Sequence, residues 1–116
     1  MNKKITTSLD GKEIVLNYGV NRFYHLFKEG TGHDLFTFGE GFDISKLVLF
    51  AQGFVYAGYY SECKLNKTEP EFTKEQIFEM VMDADSSMPN DLFKKYNESM
   101  SEGEANGQLK ESLLTN

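Results

Sequence analysis

Cysteine, histidine and clustered basic residues are scarce in this chain, and each scarcity removes a class of function. A single Cys63 among 116 residues allows no internal disulfide and no cysteine-based zinc set, which suits a reducing compartment. The two histidines, His25 and His33, belong to no HExxH pattern, so metal catalysis finds no ligand frame. Twelve Lys and Arg stand against eighteen Asp and Glu, a net charge of −6. With no basic patch to release counterions from phosphates, nucleic acid is not an expected ligand. No apolar run reaches the roughly 20 residues of a membrane span, and residues 1–11 lack the apolar centre of a secretory signal. A cytoplasmic protein without a membrane segment is expected.

Catalytic patterns are missing too. Gly30-Thr31-Gly32 and Gly39-Glu40-Gly41 fall in neither GxGxxG nor GxxxxGK[ST], so they read as turns rather than phosphate loops. Asp83, Asp85 and Ser87 open like a calcium loop, but its sixth position is Met88 and its twelfth Lys94, where that loop needs Gly and Glu. No serine sits in GxSxG, and Cys63 has no base beside it in sequence. The expectation is a non-enzymatic protein with no cofactor and no metal.

What the chain does have is one long apolar and aromatic stretch, residues 43–60, DISKLVLFAQGFVYAGYY. Asp43 is placed to cap a helix. Ile44, Leu47, Val48, Ala51, Phe54, Val55 and Gly58 recur at helical spacing, while Leu49, Phe50, Tyr56, Ala57 and Tyr59 put apolar surface on the other side. A helix apolar all round must be covered all round. Gly53 and Ala57 form a small-residue face on it. Each Gly in a helix interior costs about 0.8–1 kcal/mol relative to Ala, which close packing must offset.

The remaining elements surround this helix. Two short runs joined by Asp10-Gly11 predict a β-hairpin, with Ile14 and Leu16 on one face and Glu13 and Val15 on the other. Asn21 is the expected cap of a helix running to about Glu29 and stopped by Gly30 and Gly32. Residues 33–43 fit a short strand or an aromatic loop. Residues 62–70 read as a polar connection. Thr73 and Gln76 form a capping box that opens the next helix, with Phe72 stapled to Ile77. A last helix from about Pro89 to Met100 carries Leu92, Phe93 and Tyr96, with Asp91 and Lys95 set for a surface pair. The fold class is α+β: a mainly helical single domain over residues 1–100, an N-terminal β-hairpin packed on about four helices. Residues 101–116 make a flexible acidic and polar tail.

Charge and aromatics divide the chain. Residues 1–60 hold six basic and six acidic side chains; residues 61–116 hold six and twelve. Twelve of the sixteen Phe and Tyr lie between Tyr18 and Tyr60. Aromatic rings bury large areas at small entropy cost and are enriched at protein interfaces. Two clusters are therefore candidate partner-binding residues, Phe36, Phe38 and Phe42, and Tyr56, Tyr59 and Tyr60, although core packing is the favoured explanation of both. Leu113 and Leu114 add an apolar patch in the tail. Glu75, Glu79 and Asp83 line one helix face, either solvated or facing a basic partner.

In order, SLDGKEIVLNYG, NRFYHLFKEGTG, the apolar central helix, FTKEQIFEMVMD and LFKKYNESM resemble the tail assembly chaperones of long-tailed bacteriophages and prophages, over roughly residues 5–100. The resemblance lies in element order and residue texture, and it supplies no matched functional residue. Some members of that family are extended by translational frameshift; here a polar tail ends in Leu113-Leu114. The resemblance implies a protein of the host cytoplasm that binds the tape measure protein, keeps its apolar helical segments from aggregating, and recruits tail tube subunits. Two alternatives stand beside it. One is a structural tail or connector subunit that forms a homo-oligomer; the other is a small-ligand or regulatory domain.

Overall fold

The computed structural model describes residues 3–38 and 43–100. Strands β1 (Lys4–Leu9) and β2 (Lys12–Asn17) pair antiparallel, with Leu9 opposite Lys12 and Lys4 opposite Asn17. Asp10 and Gly11 close the turn at φ 52° and 75°, the left-handed pair that a two-residue hairpin needs. Ile14 and Leu16 are buried, while Glu13 is exposed; the alternation read from sequence is the one that rests on the helices.

Helix α1 (Asn21–Thr31) begins at the residue expected to cap it. Val20 occupies the cap position and no side chain caps the helix, so Asn21 is its first helical residue. Gly30 lies within the helix, and termination falls to Gly32 at φ 76°, whose amide donates to the Lys28 carbonyl. The described part of the segment after it, residues 33–38, contains no strand. Leu35–Thr37 form a 3-10 turn, capped by Asp34, whose carboxylate accepts from the Phe36 amide at 3.0 Å.

Helix α2 (Ile44–Asn66) is the axis of the domain. Asp43 caps it, accepting from the Lys46 amide at 2.9 Å. It runs six residues past Tyr60, through a stretch that reads as a connection. The reason is tertiary: Cys63 is buried, and Glu62 accepts from Lys4, Asn17 and Asn66. After it comes α3 (Lys74–Met82), opened by the complete Thr73–Gln76 capping box. Residues 88–100 form the last helix, α4. Lys95 reaches across the chain to the Thr6 carbonyl at 3.0 Å rather than to Asp91.

The middle of α2 is covered on every side. A Cβ at Gly53 would collide with Thr31 and Phe27 of α1. One at Gly58 would lie 2.8 Å from the Leu16 Cβ and 3.0 Å from its Cα, so β2 lies directly on the α2 backbone. Gln52 donates to the Phe78 carbonyl of α3 at 3.1 Å. Phe93 and Tyr96 of α4 meet Phe50 at 5.3 and 5.9 Å, and Tyr96 meets Phe54 at 5.2 Å. The fold is α+β, a hairpin packed on four helices. Phe42, Leu113 and Leu114, and with them the expected tail, lie outside the described residues.

Because the Leu16 Cβ and backbone face Gly58, where no flexible side-chain end can give way, Gly58→Val is expected to cost about 1–3 kcal/mol by overpacking. Urea denaturation measures it; an unchanged midpoint would refute the close β2–α2 contact.

Candidate functional site

The aromatic residues expected at a binding surface divide sharply. Phe38 is 3 % exposed, edge-on to Phe27 at 5.4 Å and tilted on Phe50 at 6.0 Å. It is core and not available as surface. Phe36, two residues earlier, is 81 % exposed and stacks flat on Tyr24 of α1 at 5.4 Å, with 13° between the ring planes. The Asp34-capped turn sends the two rings in opposite directions.

The three tyrosines of α2 brace the domain. Tyr56 is buried, and its hydroxyl donates to Glu29 at 3.1 Å. Burial first, and then the Glu29 hydrogen bond and charge, push that hydroxyl up to about 12. Tyr59 accepts from the Glu71 amide at 2.7 Å, and Tyr60 donates to the Phe72 carbonyl at 2.7 Å. Burial raises both hydroxyls above their ordinary value. Together Tyr59 and Tyr60 hold the segment before α3 against α2, so their polar ends are spent within the chain.

Beside them is a cleft of about 230 Å³ between β2, the end of α2 and residues 68–72. Lys12 and Glu71 pair at its mouth at 2.9 Å, with the Lys12 ammonium also 5.2 Å from the centre of the Phe72 ring. The Glu71 hydrogen bond raises Lys12 above its ordinary value. Val15, Tyr59, Cys63 and Glu62 line the wall. Burial lifts the Glu62 carboxyl, but hydrogen bonds from Lys4, Asn17 and Asn66 outweigh it and hold the group below its ordinary value. A second hollow, of about 390 Å³, lies at the hairpin turn and is bordered by Asp10, Asp83 and Asp85. Among the described residues no group of three or more His, Cys, Asp or Glu is placed to hold a metal. Asp85 instead accepts from the Ser87 amide and hydroxyl, a local turn that helps start α4. Glu75, Glu79 and Asp83 are all exposed.

The apolar surface is therefore elsewhere. Phe36 and Ile44 are each 81 % exposed, and Met82 and Leu65 are also open. Of these only Phe36 presents an exposed ring backed by a second ring, a rigid apolar platform. Phe36 is one of the candidates named from the sequence, and Tyr24, which is not among them, lies against its ring. Their juxtaposition depends on the 3-10 turn, which the sequence signals only through Asp34. No helix among the described residues is long and apolar enough to cross a membrane. No family model matches the chain, and neither a curated protein nor a solved structure matches it.

Two expectations follow. Phe36→Asp should lower stability by less than about 1.5 kcal/mol, the most that the ring stack contributes beyond burial, whereas Phe38→Ala should lose about 3–5 kcal/mol; equal losses would show that Phe36 is core as well. Glu62, with its folded pKa depressed, contributes stability above its ordinary value of 4.5 and loses it as pH falls through the lower folded value. Glu62→Gln should then be less stable than the parent at pH 7, with the gap closing below pH 4.5; a gap independent of pH would rule out the charged network.

Proposed function

We propose that this chain is a non-enzymatic binding protein of the tail assembly chaperone kind, acting in the host cytoplasm. In this reading it covers apolar helical segments of the tape measure protein until tail tube subunits displace it. The observation that carries the proposal is the Tyr24–Phe36 stack, an apolar platform with one ring 81 % exposed. Large rings held in place by their neighbours are among the residues that dominate binding energy at interfaces. The order of elements that resembles the chaperones, hairpin, short helix, long apolar helix and capped helix, adds support.

The net charge of −6 fits the same role. Like charge keeps copies apart and soluble while a small apolar platform is left open. Binding through one ring pair is also moderate rather than permanent, as a holder that must later yield to tube subunits requires. A structural tail subunit would need a broader self-complementary surface than this platform.

The test is capture by tagged protein from phage-producing cells. Wild type should retain a very long helical protein, with or without a tube subunit, and Phe36→Asp should retain at least tenfold less while staying folded, with no more than about 1.5 kcal/mol of stability lost. Capture of further copies of the chain alone, or its recovery in finished particles, would replace the chaperone reading with the structural one.

A further inference from the structure

The cleft beside Tyr59 offers a second binding surface, separate from the Tyr24–Phe36 platform. We propose that it receives a short extended segment of another protein, bearing Lys or Arg, which pairs through its backbone with the outer edge of β2 over Glu13 to Val15.

The strand pairing decides which backbone groups are free. In an antiparallel pair, opposed residues alternate between those that exchange both hydrogen bonds and those that turn their N–H and C=O outward. The Tyr18 amide donates to the Lys3 carbonyl at 3.0 Å. Alternation from there down the register makes Ile5–Leu16, Thr7–Ile14 and Leu9–Lys12 the bonded pairs. Glu13 and Val15 on β2, and Thr6 and Ser8 on β1, therefore point their backbone groups away from the hairpin. The Thr6 carbonyl agrees, since Lys95 reaches it from outside. Among the described residues no backbone group bonds Glu13 or Val15 from the outer side of β2.

Those free groups border a formed space. The 230 Å³ cleft is lined by every residue from Lys12 to Val15, about 13 Å of strand. Tyr59, Cys63 and Asn66 of α2 also line it, at the spacing of one helix face, and residues 68–72 supply the far wall. That wall is already pinned. The Glu71 amide donates to the Tyr59 hydroxyl, the Tyr60 hydroxyl to the Phe72 carbonyl, and the Thr68 amide to the Cys63 carbonyl at 2.9 Å. The volume is below the roughly 300–1,000 Å³ of a small-molecule site. Its place along a free strand edge suits an extended peptide, for which main-chain hydrogen bonds give affinity and alternate side chains give specificity.

Charge selects the occupant. Glu13, Glu62 and Glu71 line the cleft against one ammonium, Lys12. The Lys12–Glu71 pair is exposed on both sides, and such pairs hold little, so an entering segment can part it. A basic side chain opposite Glu13 gains a favourable cross-strand contact, whereas an acidic one is repelled. A second copy of this chain, at a net charge of −6, meets that repulsion as a whole.

The probe is the acetylated, amidated peptide Lys-Val-Thr-Val-Lys, added at millimolar concentration to the full chain, with amide hydrogen exchange read residue by residue. Without peptide, the Glu13 and Val15 amides should exchange at least about tenfold faster than those of Ile14 and Leu16. With peptide, both should slow at least about twofold, the effect of half-occupancy. The same peptide N-methylated at its Val and Thr residues, and the acidic counterpart Glu-Val-Thr-Val-Glu, should give no protection. Glu13→Lys, at an exposed position, should weaken the basic peptide about fivefold. Slow exchange of Glu13 and Val15 in the free chain, no protection by the peptide, or equal protection by either control would overturn the proposal. So would protection that rises with protein concentration alone, which would identify a second copy as the occupant. Phe36→Asp should leave this binding unchanged, so the platform and the strand edge can fail independently.

Discussion

The middle of α2 has no wet side, and the rest of the domain is arranged to meet that constraint. Residues 53–58 are all buried, and four different elements supply the cover. The two interior glycines weaken the helix by about 0.8–1 kcal/mol each, yet they are the points of closest approach. At Gly53 the helix admits α1, and at Gly58 it admits the backbone of β2. Removing side chains from α2 thus brings a neighbouring helix and the hairpin within van der Waals contact, where dispersion and burial offset the propensity cost. The hairpin, marginal as an isolated pair of strands, is held because its buried face has this flat seat.

Much of this frame could be read locally. Asp10-Gly11, the Asp43 cap and the Thr73–Gln76 box each depend on residues within a few positions, and each is present as written. The departures have long-range causes. Asn21 has the chemistry of a cap, but Tyr18 donates its amide back to Lys3, and that tie to the hairpin fixes how the chain enters α1, one residue earlier. Polar residues after Tyr60 suggest an end to α2, but Glu62 bonds to both strands, 58 and 45 residues away, and carries the helix on. Composition alone gives no view of such partners.

The same limit governed the candidate site. Phe36 and Phe38 are equivalent as letters, and only the direction of a three-residue turn decides that one is core and the other surface. The α2 tyrosines are amphipathic in sequence, which suits an interface, but their hydroxyls find Glu29, the Glu71 amide and the Phe72 carbonyl. Tyrosine used as an internal strut and tyrosine used as a contact differ in where the oxygen ends. Tyr24, the residue that gives Phe36 a rigid backing, could be placed on a helix but not paired across the following loop.

The reach of Lys95 to the Thr6 carbonyl has a consequence for how the chain behaves in a crowded cell. A two-stranded sheet has unpaired backbone along both outer edges, a template on which foreign strands can add. Here α2 covers the face of β2, and a cation from the last helix occupies the Thr6 carbonyl on β1. Lysine on an edge is a recognised deterrent to strand addition, since joining the edge would displace or bury its charge. By contributing that lysine, α4 guards the hairpin against β-aggregation as well as completing the core, so a chain cut short before residue 88 would lose its aromatic cover and its edge protection together.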